Sequence, residues 1–244
     1  MLNAGVGHVN LQGYNPSASS TAQTVWAVGS GTYAQLTAAT ALEAVSGSAN
    51  DAAAGTGART IRIYGVLLDA TTSTYLPFAE TITLTGTTPV PLVNTTAVAI
   101  NSVEILTAGS GLTNAGDIDI RTVSGSTVKT RMEANIEAVG KTRDFIYTTS
   151  SLVYGLLKRI QVYATASTGD IWVYLNSYNS SGVKKVLTET SFSLDNTGFA
   201  SGPFAVDFGT GIYIPHSTLI ELRVDVGAGT PVVNAVGELI LRAV

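Results

Sequence analysis

From about Arg59 to the C-terminus, apolar and polar residues alternate in short runs separated by turn-forming residues. The clearest runs are Arg59–Tyr64, Thr81–Thr85, Val103–Leu106, Asp117–Arg121, Lys158–Tyr163, Asp170–Leu175, Ile220–Val226 and Glu238–Arg242. A period of two places the apolar side chains on one face of a half-buried antiparallel strand. The β-branched residues that dominate these runs suit a pleated surface. Between them lie Ala108–Gly111, Asn114–Asp117, Asn179–Gly182, Asp195–Gly198 and Gly227–Thr230, where Gly, Asn and Asp supply turn conformations. Regular punctuation without long helical periods predicts sandwiches or jelly rolls. The one short helical candidate falls within Ala34–Val45.

The pattern divides the chain in three. Residues 1–31 have sparse periodicity and few charges and are expected to form an extended N-terminal arm, ordered against a neighbour. A β-sandwich domain is expected over residues 32–140. A jelly-roll-like β-sandwich domain with more aromatic strands, carrying Trp172, Tyr174, Phe192, Phe204 and Phe208, is expected over residues 141–244. The expected fold class is therefore all-β: two antiparallel β-sandwich/jelly-roll-like domains preceded by an arm.

Charge changes this picture from fold to use. Only 12% of the residues are Asp, Glu, Lys or Arg, against about 25% in ordinary soluble domains, and the mean hydropathy is +0.29. Yet Thr, Ser, Gly or a charge interrupts every apolar stretch before the ~20 residues that a membrane-spanning helix needs. A chain so poor in charge is expected to cover much of its surface with partners, as a building block does. The net charge is −4 and the densest basic spots are the pairs Lys158–Arg159 and Lys184–Lys185, too few for phosphate neutralisation, so neither nucleic acid nor membrane is an expected partner. With no Cys in the chain, disulfides and thiolate metal sites are excluded. The start lacks the charged and apolar regions of a signal peptide, and synthesis and assembly in a cytoplasm are the expectation. The sequons at Asn94 and Asn179 read as chance matches in a Ser/Thr-rich chain.

Candidate chemistry is thin. His8 and His216 are the only histidines, one in the expected arm and one at a turn after Pro215, so a Ser-His-Asp arrangement has little to draw on. Asp117 and Asp119 point one way on a strand, where glycosidic chemistry could use a carboxylate pair, but alternation with Ile118 and Ile120 puts them on a solvated face. Asn50, Asp51, Asp117 and Asp119 offer calcium ligands without the carboxylate density of a dedicated loop. Gly55-Thr56-Gly57 lacks the Lys and helix of a phosphate cradle and reads as a tight turn before Arg59–Tyr64. No catalytic residue, cofactor or metal site is predicted. Trp172 and Tyr174 share one strand face, and Ile171, Val173 and Leu175 the other. That suits a strand buried twice, a strand whose second face meets another subunit, or, with Tyr178, a sugar-stacking platform.

Three stretches carry a resemblance: Ala22–Trp26 followed by Ser48–Thr60; Glu80–Thr88; and Leu106–Gly111 with Thr113–Ile118. In order and spacing, together with Pro215–Leu222 and the closing Glu238–Leu241, the chain resembles a family of virion structural proteins of tailed bacteriophages, especially cyanobacterial phages. Tyr64–Ala79 departs from that pattern, being longer and more apolar than a polar turn. The resemblance implies a non-enzymatic capsid cement (decoration) protein on the outer surface of the virion. Its implied partners are the major capsid protein and further copies of itself, as a dimer or trimer; no catalytic residue carries over. The alternative is a tail-fibre or head-fibre receptor-binding protein that recognises glycans. The interface candidates are Leu2, Val6, Val9, Leu11, Tyr14, Val25 and Trp26 of the arm, and Trp172 and Tyr174 of the aromatic domain. On that reading, removing residues 1–26 leaves a folded protein that no longer decorates shells.

Overall fold

A computed structural model describes residues 7–134, 140–165, 169–194 and 204–244. The described chain is all-β, with antiparallel sheets throughout. It divides into two compact units, Met1–Tyr33 with Asp144–Val244, and Ala34–Arg143. The second unit lies within the sequence of the first.

The first unit opens with β1 (Gly7–Asn15) and the short β2 (Gln23–Thr24). The second unit follows, with β3 (Leu42–Ser46), β4 (Ala58–Asp69), β5 (Thr74–Thr83), β6 (Val90–Pro91), β7 (Ala97–Ala108), β8 (Ile118–Thr122) and β9 (Val128–Met132). Its strands form two sheets, in the orders β6-β3-β8-β9 and β5-β4-β7. Leu42, Ile118 and Ile120 from one sheet and Ile61, Ile63, Ile82 and Val103 from the other share a single apolar core. Burying each such side chain contributes ~1.5–3 kcal/mol. Tyr64–Ala79, the stretch that departs from the resembled pattern, is the extended β4–β5 hairpin, in register from Thr60↔Thr83 to Asp69↔Thr74. Its apolar excess packs Val66, with Leu68 and Tyr75, against Val98 and Ala99. The helix expected within Ala34–Val45 does not form. Thr40 N donates to Ala97 O at 2.9 Å and β3 pairs with strands on both sides, so tertiary pairing overrides the weak helical signal.

The chain then completes the first unit with β10 (Ile146–Thr148), β11 (Val153–Ala164), β12 (Gly169–Tyr178), β13 (Lys184–Leu194), β14 (Phe204–Ile214), β15 (Leu219–Val226) and β16 (Val233–Ala243). Its pairing is nested. β12 pairs with β13, β11 with β14, β10 with β15, and β1 with β16, each antiparallel. The eight strands divide into sheets ordered β1-β16-β11-β14 and β10-β15-β12-β13, with β2 joined to β15. Both sheets turn their apolar faces into one core, in which Leu157, Ile160 and Leu239 meet Ile171, Leu175 and Leu222 around the fully buried Phe145.

The expected free arm is corrected here. Gly7–Asn15 is an edge strand matched to β16 from Gly7↔Leu241 to Asn15↔Val233. The segment beyond it is held as firmly, since Val25 N donates to Leu222 O at 2.9 Å and Phe145 N donates back to Val25 O at 2.9 Å. Its inward positions are Val9, Leu11 and Gly13. A Cβ on Gly13 would lie 2.8 Å from the Phe145 Cβ, so a small residue is needed there and the alternation looks weak in the sequence.

Candidate interaction surfaces

Seven of the nine sequence-derived interface candidates have a definite place. Leu11, Val25 and Trp26 are buried, at 4%, 0% and 4% exposure, and Val9 packs against the core. None of these four offers a surface. Leu2 and Val6 lie outside the described residues. Tyr14, Trp172 and Tyr174 are half-exposed, on the outer faces of the two sheets of the first unit.

The outer face of β1-β16-β11-β14 is rich in tyrosine. Tyr14 and Tyr163 flank Asn234 at one end, in adjoining register. At the other end Tyr213 stands beside Leu156, which lies opposite Ile240, and the rings of Tyr154 and Tyr213 are 5.4 Å apart. Tyr213 is 56% exposed, Tyr163 40% and Val236 39%. A row of charge crosses the middle, where Asn10, Glu238, Arg159 and Asp207 follow one another and His8 Nε2 meets Glu238 Oε1 at 2.8 Å. Tyrosine, with a large rigid ring and a polar tip, is enriched where proteins meet.

The outer face of β10-β15-β12-β13 is built differently. Trp172 lies between Ser191 and Asp225, and Tyr174 between Glu189 and Arg223. Burial, then the charges of Glu189 and Asp225, raise the Tyr174 pKa. Further along, the face is covered from within the unit. Trp26 and Tyr33 stack edge to face at 5.7 Å and pack on Ile146 and Leu219, with Val28 and Tyr178 alongside. Beneath them the fully buried Glu221 accepts hydrogen bonds from Thr24 Oγ1, from Tyr178 Oη at 2.9 Å and from Arg223 Nε at 2.9 Å. Burial and the Glu221 charge push the Tyr178 pKa up to about 12. The three aromatic residues proposed for sugar stacking are thus separated: Trp172 and Tyr174 reach solvent, while Tyr178 serves the polar cluster.

Between the sheets the first unit gapes along one side. β13 and β14 are the edge strands there, and among the described residues neither has a partner on its outer side. The gap is a narrow apolar groove, with Phe204, Val206 and Phe208 on one lip and Thr188 and Thr190 on the other. Phe192 stacks on Phe204 at 4.8 Å. Apart from the fully buried Ile214, the core-facing residues of both strands are only half-buried, in contrast to those of β12 and β15.

The polar residues weighed for chemistry are engaged in structure. Asp51 is fully buried in the second unit. Its Oδ1 accepts from Ala58 N (2.7 Å) and Ala115 N (2.8 Å), and its Oδ2 from Ser46 Oγ (2.5 Å) and Gly116 N (2.9 Å). The resembled motifs around Ser48–Thr60 and Thr113–Ile118 therefore converge on one carboxylate. Gly57 belongs to this knot, since a Cβ there would lie 2.1 Å from Asp51 Oδ1. Asp119 takes a bidentate bond from Arg131 at 2.7 and 2.8 Å, and Asp117 accepts from Ala134 N at 2.8 Å. Asn50 accepts the Gly57 N–H through its carbonyl. His216 is exposed at the turn before β15, with Nδ1 3.3 Å from Ser217 Oγ. Among the described residues no three metal-ligating side chains converge, and no helix is long and apolar enough to cross a membrane.

No protein-family profile matches the chain, and no curated protein sequence matches it. Among solved structures it is distantly similar to chains of virus particles. One is infectious bursal disease virus of the Gt strain, at 12% identity over 98% of this chain and 68% of that one, with a TM-score of 0.23. Another is the Gx strain, at 13% identity over 97% and 71%, with a TM-score of 0.24. A third is the VP2 subviral particle of the same virus, at 12% identity over 98% and 68%, with a TM-score of 0.19. Scores of this size establish no shared fold and contribute nothing to the functional argument.

Proposed function

We propose that this protein is a non-enzymatic structural component of a virion, a capsid cement protein that binds a shell of major capsid protein and bridges its capsomers. The observation that carries the reading is the nested pairing of the first unit. Four strand pairs enclosed one within another, rolled into two four-stranded sheets, give the connectivity of a jelly roll, the double-sheet design of viral capsid and lectin domains. Fold alone does not assign function; the outer surface supports the same reading. The tyrosine face of β1-β16-β11-β14 is four strands wide, with tyrosines toward both ends and a polar, charged row between them, which fits a broad protein surface better than a small ligand. Many such modest contacts on a repetitive shell add up through effective concentration. The shell-binding role once given to the arm passes to this face, of which Tyr14 is a part.

The test is co-sedimentation of the purified protein with shells assembled from the major capsid protein of the same genome. The protein pellets with shells at saturable stoichiometry, and a Tyr163→Ala/Tyr213→Ala variant, folded by circular dichroism, loses most of that binding. Absence of binding by the parent protein, or full binding by the variant, contradicts the proposal. A second reading, glycan recognition by a head or tail fibre, is favoured by the half-exposed Trp172 and Tyr174 beside Asp225 and Arg223, since aromatic faces with adjoining polar groups suit sugars. Binding on a glycan array that disappears in Trp172→Ala selects it instead.

A further inference from the structure

We infer that the β13–β14 side of the first unit is a self-association edge, on which a second copy of this chain docks about a two-fold axis and closes the apolar groove. β13 is an unpartnered edge of 11 residues among the described residues, and β14, the opposite lip, is another of 11. A long edge of this kind offers a row of unpaired backbone donors and acceptors and is a template for strand addition.

Charge and size select a second copy as the occupant. The outer part of β13 is polarised: Lys184 and Lys185 open it, Glu189 lies midway, and Ser193 near its end holds Asp170 through a hydrogen bond. In a two-fold pairing residue i meets j and j meets i. An antiparallel pairing therefore brings each lysine pair alongside the Glu189–Ser193 stretch of the other copy, whereas a parallel pairing sets lysine against lysine. The 22 residues of the two edges match the ~20–30 residues per partner found in stable interfaces. A two-fold axis normal to the sheets brings both lips of one copy against both lips of the other, removing the half-buried Phe204, Val206 and Phe208 from water together. The β14 edge is irregular beyond Asp207, where its register to β11 shifts, so β13 supplies the strand pairing and β14 the apolar cover. Isologous closure also ends growth at two copies, so no filament follows from the open edge.

The experiment uses the whole chain and is read apart from any shell. By light scattering, the parent protein runs at twice the 25.2 kDa of the chain. Lys184→Glu/Lys185→Glu reverses two exposed charges and Thr190→Lys points a charge into the groove; each weakens the dimer on the order of tenfold or more and shifts the mass toward one copy. Because the chain has no cysteine, single-cysteine variants at Leu187, Thr188 and Glu189 report the axis: oxidation links a copy to its twin at the position nearest it, while Asn10→Cys, on the opposite strand edge, forms no link. Should Thr190→Lys fail to fold, the lysine variant, altered only at exposed positions, decides alone. A monomeric parent protein, a trimer, or a dimer unchanged by the lysine reversal overturns the inference.

Discussion

Asp51 shows how a polar side chain can organise a unit without chemistry of its own. Its four bonds come from Ser46, Ala58, Ala115 and Gly116, spread across the sequence of the second unit. Replacing it by alanine strands these donors in a buried site, at ~1–3 kcal/mol for each unsatisfied group, so Asp51→Ala is expected to lose on the order of 4 kcal/mol or more. That is a large part of the ~5–15 kcal/mol that holds a typical domain folded, and urea titration checks it. Gly55-Thr56-Gly57 was visible in the sequence as a tight turn; that the Asp51 carboxylate would collect donors from Ala115 and Gly116 was not, because no spacing rule links residues so far apart. Tyrosines of the first unit make a second residue-scale prediction. Burial raises the Tyr147 pKa from 10.0 to about 12, and Tyr178 moves the same way. A folded-state pKa above the unfolded one contributes stability that is complete below about pH 10 and lost as pH climbs toward 12. For the largely buried Tyr147 alone the loss approaches about 3 kcal/mol, and denaturation midpoints measured across that range should fall accordingly.

At the scale of elements, legibility followed size of side chain. Runs such as Asp170–Leu175 and Ile220–Val226 alternate large apolar residues with polar ones, and they are β12 and β15. β1 escaped because two of its inward places hold Val9 and Gly13 rather than bulky residues, and the room is taken by Phe145 from another part of the chain. The edge β13 was weakly marked for a related reason: its inward residues include Thr188 and Thr190 and line a groove rather than a closed core. The consequence for truncation is direct. Removing residues 1–26 deletes β1, β2, Leu11, Val25 and Trp26, exposing the β16 edge and opening the core. Limited proteolysis should then cut the first unit rapidly, where a dispensable arm would leave it resistant.

The whole molecule combines low charge, two β units and distinct exposed surfaces. Twelve per cent charge leaves little to keep lone copies apart, and the tyrosine face and the gaping edge are where the missing cover is expected. The sequence made the all-β class legible, since it rests on the period of two and on the turn residues. It read Gly7–Asn15 as part of an extended arm, because an arm and an edge strand look alike when inward residues are small. The measurement that tests the central claim most directly is a reconstruction of the virion carrying labelled protein. The account predicts label over the whole outer surface of the head, in copy number proportional to capsomers, with the tyrosine face turned to the shell. Label confined to the tail, or absent from the particle, contradicts it.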